Sequence, residues 1–400
     1  MRSDKMEVEL EENRYSRLKL IPWWDQERLL NSRVMVVGAG ALGNEIVKNL
    51  ALLGVGHILI VDFDRVENSN LSRSVLFRPE DEGKPKADVI AHAAVEMNPD
   101  VRAIALDADV MHDVGLGTFR AMDLVIAGLD SREARLAVNQ SCWRVGTPWI
   151  DGAIEALYGV ARVFVPPDGP CYECTMNELD RRIVSMRQSC ALLTQDDLLD
   201  GKIPTTPTTA AVIAGIETQE AVKLLHGRED LPVLEGRGFF FNGLTHDSFV
   251  VDYDRNEECL SHETFDRIEE LQFTRDVTIG DLLELACSRL GRNAVIDLGR
   301  EIVVSLECKD CKSSEKIYRA LGKVSADEAL CPGCGVLRVP ELTHSLSAGE
   351  DCLTTTMREM GIPPYDIVTA RAGPAMIHFE LSGDRADVLL EEIASSSDKV

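Results

Sequence analysis

No stretch of this sequence is long and apolar enough to cross a membrane, and its opening, MRSDKMEVELEENRYSR, is acidic and lacks the apolar core of a secretory signal. The chain is therefore expected to be cytoplasmic and to have no membrane partner. Positive charge is also in short supply: 42 Lys and Arg stand against 67 Asp and Glu, a net charge of -25. Such a surface repels backbone phosphates, which excludes a general nucleic-acid binder and favours a basic protein partner. No internal repeat is found, and only the tail SSSDKV reads as disordered. What remains is an ordinary globular composition, 45% apolar over 400 residues, too long for one core and suited to two or three packed domains. In a reducing compartment its eleven cysteines are thiols or metal ligands, not disulfides.

The pattern changes near residue 270. Before it, RVMVVG, ALGNEIVKNLALLG, HILIVDFD, a helix from about Lys86 to Met97 and DLVIAGLD alternate strand with helix, the rhythm of a parallel, doubly wound α/β sheet. After it, TIGDLLELACSRLG opens on a Thr278 to Asp281 capping signal and predicts a helix, and AVIDLGREIVVSLEC predicts a hairpin. Cysteine pairs and a strand, strand, helix run through DIVTARAG, AMIHFELSG and RADVLLEEIA complete a small α+β domain. The expected division is thus a Rossmann-like domain over 1–270 and a C-terminal domain over 271–400.

Strand RVMVV runs directly into GAGALG. Gly38 permits the tight turn, Gly40 lets a phosphate approach the backbone, Gly43 allows close helix packing, and the helix N-terminus offers free N–H groups. Asp62, at the end of the next strand, is placed for a ribose hydroxyl pair. These features suit a dehydrogenase as well as an ATP enzyme. Asn70, Arg73 and Lys86 separate the two, because they fall within one βα unit of the glycines, and a triphosphate under attack needs cations for its developing charge. Asp130, in VIAGLDS, sits at the carboxyl end of another strand, where a lone carboxylate can hold magnesium.

Two cysteine pairs, CKDC at 308–311 and CPGC at 331–334, are separated by nineteen residues and read as a zinc ribbon over 305–337, with Gly333 suiting the turn in the second pair. A redox dithiol needs only one pair. Cys308, Cys311, Cys331 and Cys334 would then hold one ion and stabilise a domain with a small core. Cys171 and Cys174 form a further CxxC, which cannot close a zinc site without partners. Cys142 and Cys287 fall inside predicted helices as packed thiols, and Cys352 begins a predicted helical segment.

Taken together, RYSR, GAGALG, DFDRVENSNLSR, GKPKA, GLDS and CYEC resemble the ubiquitin-activating superfamily, which includes the ThiF and MoeB adenylyltransferases. The resemblance covers roughly residues 14–262. It implies an enzyme that uses ATP and magnesium to adenylate the C-terminal glycine of a ubiquitin-like protein. By matching position, Asp62, Asp64 and Asn70 contact the nucleoside, Arg73 and Lys86 the phosphates, and Asp130 the magnesium. Arg17 would reach into a partner subunit's site, which implies a homodimer. Ser74 and Ser131 depart from the family pattern, which usually carries glutamine and asparagine there, and both shorten a hydrogen-bonding side chain.

The family also supplies a second CxxC after the last strand of the adenylation domain. Here that region reads DYDRNEECLSHETF, so the resemblance implies a site of Cys171, Cys174, Cys259 and His262, and about two zinc ions per chain. Thioester-forming members carry their cysteine in the crossing segment after the first pair, here 175–208, where Cys190 follows Arg181, Arg182 and Arg187. Nearby cations raise a thiol's thiolate fraction. The expected function is adenylation followed by thioester transfer to Cys190, for hand-over to a conjugating enzyme or acceptor. Two other readings stay open: a sulfur-carrier adenylyltransferase that stops at the adenylate, and a non-catalytic nucleotide-binding scaffold subunit. The absence of a sulfurtransferase domain after residue 270 disfavours the first, and intact Arg17, Arg73, Lys86 and Asp130 disfavour the second.

Overall fold

A computed structural model describes residues 12–181 and 204–389. Arg182, Arg187 and Cys190 lie outside the described residues.

Uninterrupted aliphatic runs such as RVMVV are stable as strands only when both faces are covered. Accordingly β1 (Arg33–Val37), β2 (His57–Val61), β3 (Arg102–Leu106), β4 (Leu124–Ala127) and β5 (Trp149–Glu155) lie parallel in the order β3-β2-β1-β4-β5. β6 (Tyr158–Phe164), β7 (Arg237–Asn242) and β8 (Asp247–Asp252) extend the sheet antiparallel. The connecting helices are α1 (Gln26–Leu30), α2 (Ala41–Leu53), α3 (Lys86–Met97), α4 (Leu116–Arg120), α5 (Arg132–Val145) and α6 (Pro207–His226). Strand alternation sends Val34 and Val36 into one core with α1, α2, α3 and α6. Met35 and Val37 face a second core with α4 and α5. Strand order reverses at β1, which opens a crevice at the carboxyl ends of β1 and β4.

A second sheet contains β9 (Ile268–Leu271), β10 (Val295–Glu307), β11 (Ser314–Ala320), β12 (Val339–Leu346), β13 (Ile367–Ala372) and β14 (Ala375–Leu381). Its order is β11-β10-β13-β14-β9, with β12 also on β10. Helix α7 (Ile279–Leu290) covers its apolar face, and its capping box of Thr278 and Asp281 forms as expected. A short α8 (Arg385–Val388) follows β14. β9 already belongs to this sheet, through its parallel pairing with β14.

Two local expectations fail. The predicted hairpin AVIDLGREIVVSLEC is one long strand, β10, whose register shifts between Asp297 and Ile302, where Gly299 takes φ +65. This bulge lets the first half pair with β13 and the second with β11, so the turn residue kinks the strand without reversing it. Cys352 is buried in a turn, not at the start of a helix. The carbonyls of Leu353 and Thr355 accept hydrogen bonds from Gly280 and Ile279 of α7, and these tertiary bonds replace helical ones.

The two sheets share a core. Tyr365, at φ +54 and fully buried, inserts its ring among the residues of α4 and α5. Its carbonyl accepts from Gly117 at 3.0 Å, and Asp366 accepts from Leu116 at 2.8 Å. The buried Glu380 pairs with Arg120 at 2.7 Å, and Asp366 pairs with Arg300 at 2.7 Å. A Cβ on Gly117 would lie 2.6 Å from the Tyr365 carbonyl oxygen and 2.8 Å from its ring, so no larger residue fits there. Gly117→Ala should therefore lower stability by about 1–3 kcal/mol, whereas Gly215→Ala, in open space on α6, should be neutral or stabilising. Calorimetric melting of both variants checks this; equal melting temperatures would contradict the tight fit.

Candidate functional site

The turn after β1 places three glycines in different surroundings. Gly38 takes φ +93, and a Cβ on it would lie 2.7 Å from the Gly128 carbonyl oxygen at the end of β4. A Cβ on Gly43 would overlap the Gly38 carbonyl. Gly40 has nothing within 4 Å on that side, so its backbone is open to approach.

Asp62 holds the turn from the neighbouring strand end. One carboxylate oxygen accepts from Ala39 N at 2.6 Å, the other from Asp64 N at 2.7 Å. Burial raises the Asp62 pKa, and the Ala39 bond and Lys86 oppose that rise. Lys86, at the start of α3, pairs with Asp64 at 2.7 Å, and its own N–H donates to the Asp64 carbonyl. Asn70 is buried, and its side chain accepts from Glu67 N at 3.0 Å, closing a short 3-10 turn over Asn68–Ser72. Arg73 ends that turn and donates to the Ser69 carbonyl at 2.7 Å. Ser74 is buried beside it. Asp130 is exposed at the end of β4, two residues beyond Gly128. A solvent-facing carboxylate beside an open phosphate cradle is a donor that suits magnesium. Ser131 is the N-cap of α5 and accepts from Ala134 N at 3.2 Å, which accounts for the short side chain there.

Arg17 lies elsewhere. Its segment is anchored by Tyr15, which is buried, donates to Asp100 at 3.0 Å and abuts Gly54 at the far end of α2. Arg17 itself is exposed. The length of α2 puts roughly 20 Å between Gly54 and the glycine turn.

Two cysteine groups assemble as expected. Cys171 Sγ stands 3.8 Å from Cys174 Sγ and 3.6 Å from Cys259 Sγ, and His262 Nε2 is 3.4 Å from Cys174 Sγ. Cys308 and Cys334 sulfurs are 3.5 Å apart in a group with Cys311 and Cys331. Tetrahedral zinc with bonds of about 2.3 Å to sulfur needs sulfurs about 3.8 Å apart, so both donor sets fit that ion. In the first group the Cys171 bond draws the Cys174 thiol down to about 5, toward the thiolate form, and raises Cys171. The His262 ring stacks on Trp143 at 5.0 Å. In the second group the knuckles match residue for residue. Cys308 N donates to Ser313 O and Cys331 N to Val336 O, with Lys312 at φ +56 and Gly335 at φ +72. The left-handed turn residue is therefore Gly335, not Gly333, whose Cβ would only reach ordinary contact with sulfur.

Sequence reasoning missed a buried polar group below the strand ends. Asp151, fully buried on β5, accepts from Arg135 Nε at 2.7 Å and pairs with Arg162 Nη2 at 2.8 Å. The signal was present, because WIDG repeats the strand-end carboxylate of VDFD and AGLD. Glu217 of α6 lies across Gly152 and is also fully buried. Among the described residues neither of its oxygens has a hydrogen-bond partner.

Residues 12–261, well over half of the chain, match the ThiF family. The chain belongs to the ThiF family. It is an enzyme of the E1-like superfamily to which that family contributes its adenylation fold. A SAMP-activating enzyme E1 from Haloferax volcanii is 33% identical over 266 residues, 64% of this chain and 89% of the relative. A sulfur carrier protein adenylyltransferase from Thermus thermophilus is 39% identical over 170 residues, 40% of this chain and 63% of the relative. Among solved structures, E. coli MccB with ATP superposes with a TM-score of 0.53 at 23% identity, over 64% of this chain and 75% of that one, which shows a shared fold. The ThiF match ends at residue 261, so the second sheet and its cysteine group lie beyond it.

Two outcomes test this geometry. His262→Ala should reduce zinc from about two ions per chain to about one, measured by elemental analysis; an unchanged count would remove His262 from the site. Burial raises the Glu217 pKa well above its ordinary value, reinforced by Asp151 and opposed by Arg135. A raised native pKa stabilises the fold below the unfolded value and loses that contribution as pH rises toward the native one. Glu217→Gln should therefore gain stability relative to wild type by up to about 1.4 kcal/mol per pH unit above roughly 4.5. Urea midpoints at pH 5 and pH 8 measure it; a constant difference would contradict it.

Proposed function

We propose that this chain activates a ubiquitin-like protein ending in glycine, by adenylating its C-terminal carboxylate and then accepting it on Cys190 as a thioester. What supports the reading is the open face of Gly40, with Asp62 bonded to the adjacent Ala39, Lys86 paired to Asp64, and Asp130 in the loop after β4. Helix N–H groups and Gly40 receive the phosphates, and Asp62, Asp64 and Asn70 face the nucleoside. Magnesium, when bound at Asp130, supplies charge neutralisation on the phosphates. Lys86 lies 2.7 Å from Asp64 and Arg73 is held by the Ser69 carbonyl, contacts that support a role for both cations on the phosphates.

In the first step a glycine carboxylate oxygen bonds to the α-phosphorus of ATP, the bond to the β-phosphate bridge breaks, and pyrophosphate leaves. In the second the Cys190 thiolate bonds to the acyl carbon and AMP leaves, the thiol proton having passed to solvent. Arg17, whose segment is anchored by Tyr15 beside Gly54 at the far end of α2 from the glycine turn, is read as serving a partner subunit's site in a homodimer. A conjugating enzyme or acceptor would then take the acyl group. The 39% identity to a sulfur carrier protein adenylyltransferase supports a second reading in which the reaction stops at the adenylate.

Radiolabelled pyrophosphate exchange and a non-reducing gel separate these readings. Asp130→Ala should abolish both exchange and adduct. Cys190→Ala should keep partner-dependent exchange within about threefold while losing the thiol-sensitive adduct. An adduct that survives in Cys190→Ala rejects that acceptor, and robust exchange with no adduct in the wild type favours the sulfur-carrier reading.

A further inference from the structure

Arg135 and Asp151 join the ends of β4 and β5. Arg135 Nη2 donates to the Leu129 carbonyl, one residue before Asp130, and to the Gly152 carbonyl at 3.1 Å. Its Nε donates to Asp151 Oδ1 at 2.7 Å. The guanidinium is almost wholly buried, so its fork cannot swing away into water. The other Asp151 oxygen pairs with Arg162 of β6, whose guanidinium lies 5.2 Å over the Tyr172 ring and 3.4 Å from Thr175 Oγ1. Tyr172 and Thr175 flank the ligand pair Cys171 and Cys174, and Tyr172 N donates to Asn139 of α5 at 2.9 Å. One buried carboxylate thus connects the peptide beside Asp130 to the first cysteine knuckle.

A hydrophobic cluster of the same shape would fill this space without the desolvation of three charges, so their contribution to stability alone is a weak account of them. The Arg135 contacts are directional, Nε to Asp151 and Nη2 to the Leu129 and Gly152 carbonyls, while Arg162 meets the other Asp151 oxygen as an ion pair and reaches on to Tyr172 and Thr175. We propose that Arg135, Asp151 and Arg162 are positioning residues that set the Asp130 carboxylate for magnesium from the cysteine knuckle, so that an intact knuckle is required for tight magnesium-dependent nucleotide binding. The inference rests on the assignment of Asp130 above, and its test must fail separately from that assignment.

Equilibrium binding of ATP to the full chain, titrated with magnesium and repeated in a chelator, reads the effect without any ubiquitin-like protein or turnover. Asp130→Ala should remove the magnesium-dependent part of binding; if it does not, the assignment of Asp130 fails. Given that loss, Arg135→Lys, which keeps the charge but loses the fork, should raise the magnesium concentration for half-saturation by about tenfold and leave chelator-condition binding unchanged. Arg162→Lys, one link further away, should raise it by about threefold, because outer contacts act through Asp151. Asp151→Asn is the stronger variant but leaves two buried guanidiniums short of a partner, so the lysine variants carry the test. The proposal is overturned if Arg135→Lys weakens binding equally with and without magnesium, or if Arg162→Lys leaves the magnesium titration at its wild-type position.

Discussion

The backbone contact between the turn after β1 and the end of β4 is the constraint on which the site depends. Gly38 approaches the Gly128 carbonyl so closely that neither turn admits a side chain between them. That approach brings the free N–H groups at the start of α2 alongside the β4 loop carrying Asp130. Asp62 fixes it from the other flank through Ala39. Three strand ends, β1, β2 and β4, therefore meet around one opening. The chemistry proposed for the chain needs such convergence, because charge developing on a phosphate is best met by groups already in place.

Around this centre the protein uses buried charge as a means of orientation. Asp151 receives two arginines at the strand ends, and Glu380 receives Arg120 where the sheets meet. Tyr365 closes the same junction by inserting into the first domain's core. The first cysteine group stands at the chain's passage between domains: three residues beyond His262, Phe265 stacks on His378 of β14 with centroids 3.8 Å apart. Metal binding at that group would hold the root of the crossing segment and the inter-domain connection together. Among the described residues, the ribbon group adjoins a small core of Val303, Leu306 and Val324, and its segment reaches the first domain through the Lys323–Asp113 ion pair.

Much of this was legible in the sequence because it depends on local chemistry. Glycine is demanded by the turn at 38–43, and spacing of cysteines alone marks the ribbon. Helix α7 announced its start through Thr278 and Asp281, and the aliphatic runs marked β1, β2 and β4. What escaped depends on tertiary placement. Arg135 drew no assignment from the sequence, because only the fold brings Asp151 of β5 under it. Gly299 looks like a hairpin turn until β11, β12 and β13 show that β10 continues past it. Cys352 reads as helical until α7 takes up the carbonyls that follow it. Gly333 looked like the turn residue by its place between two cysteines, yet the left-handed position is Gly335, beyond the second sulfur. In the first three cases a partner distant in sequence decides the local conformation, whereas the knuckle turn is set locally by the bond from Cys331 N to the Val336 carbonyl.

The most direct test of the account is pyrophosphate exchange driven by a ubiquitin-like protein with and without its free terminal carboxylate. With magnesium and ATP, a partner ending in glycine should raise exchange at least about tenfold over the chain alone, while the same partner amidated at its C-terminus should give none, because the attacking oxygen has been replaced. Exchange that is equally fast with the amidated partner, or that no glycine-ending ubiquitin-like protein stimulates, would contradict the claim that this site adenylates a protein carboxylate.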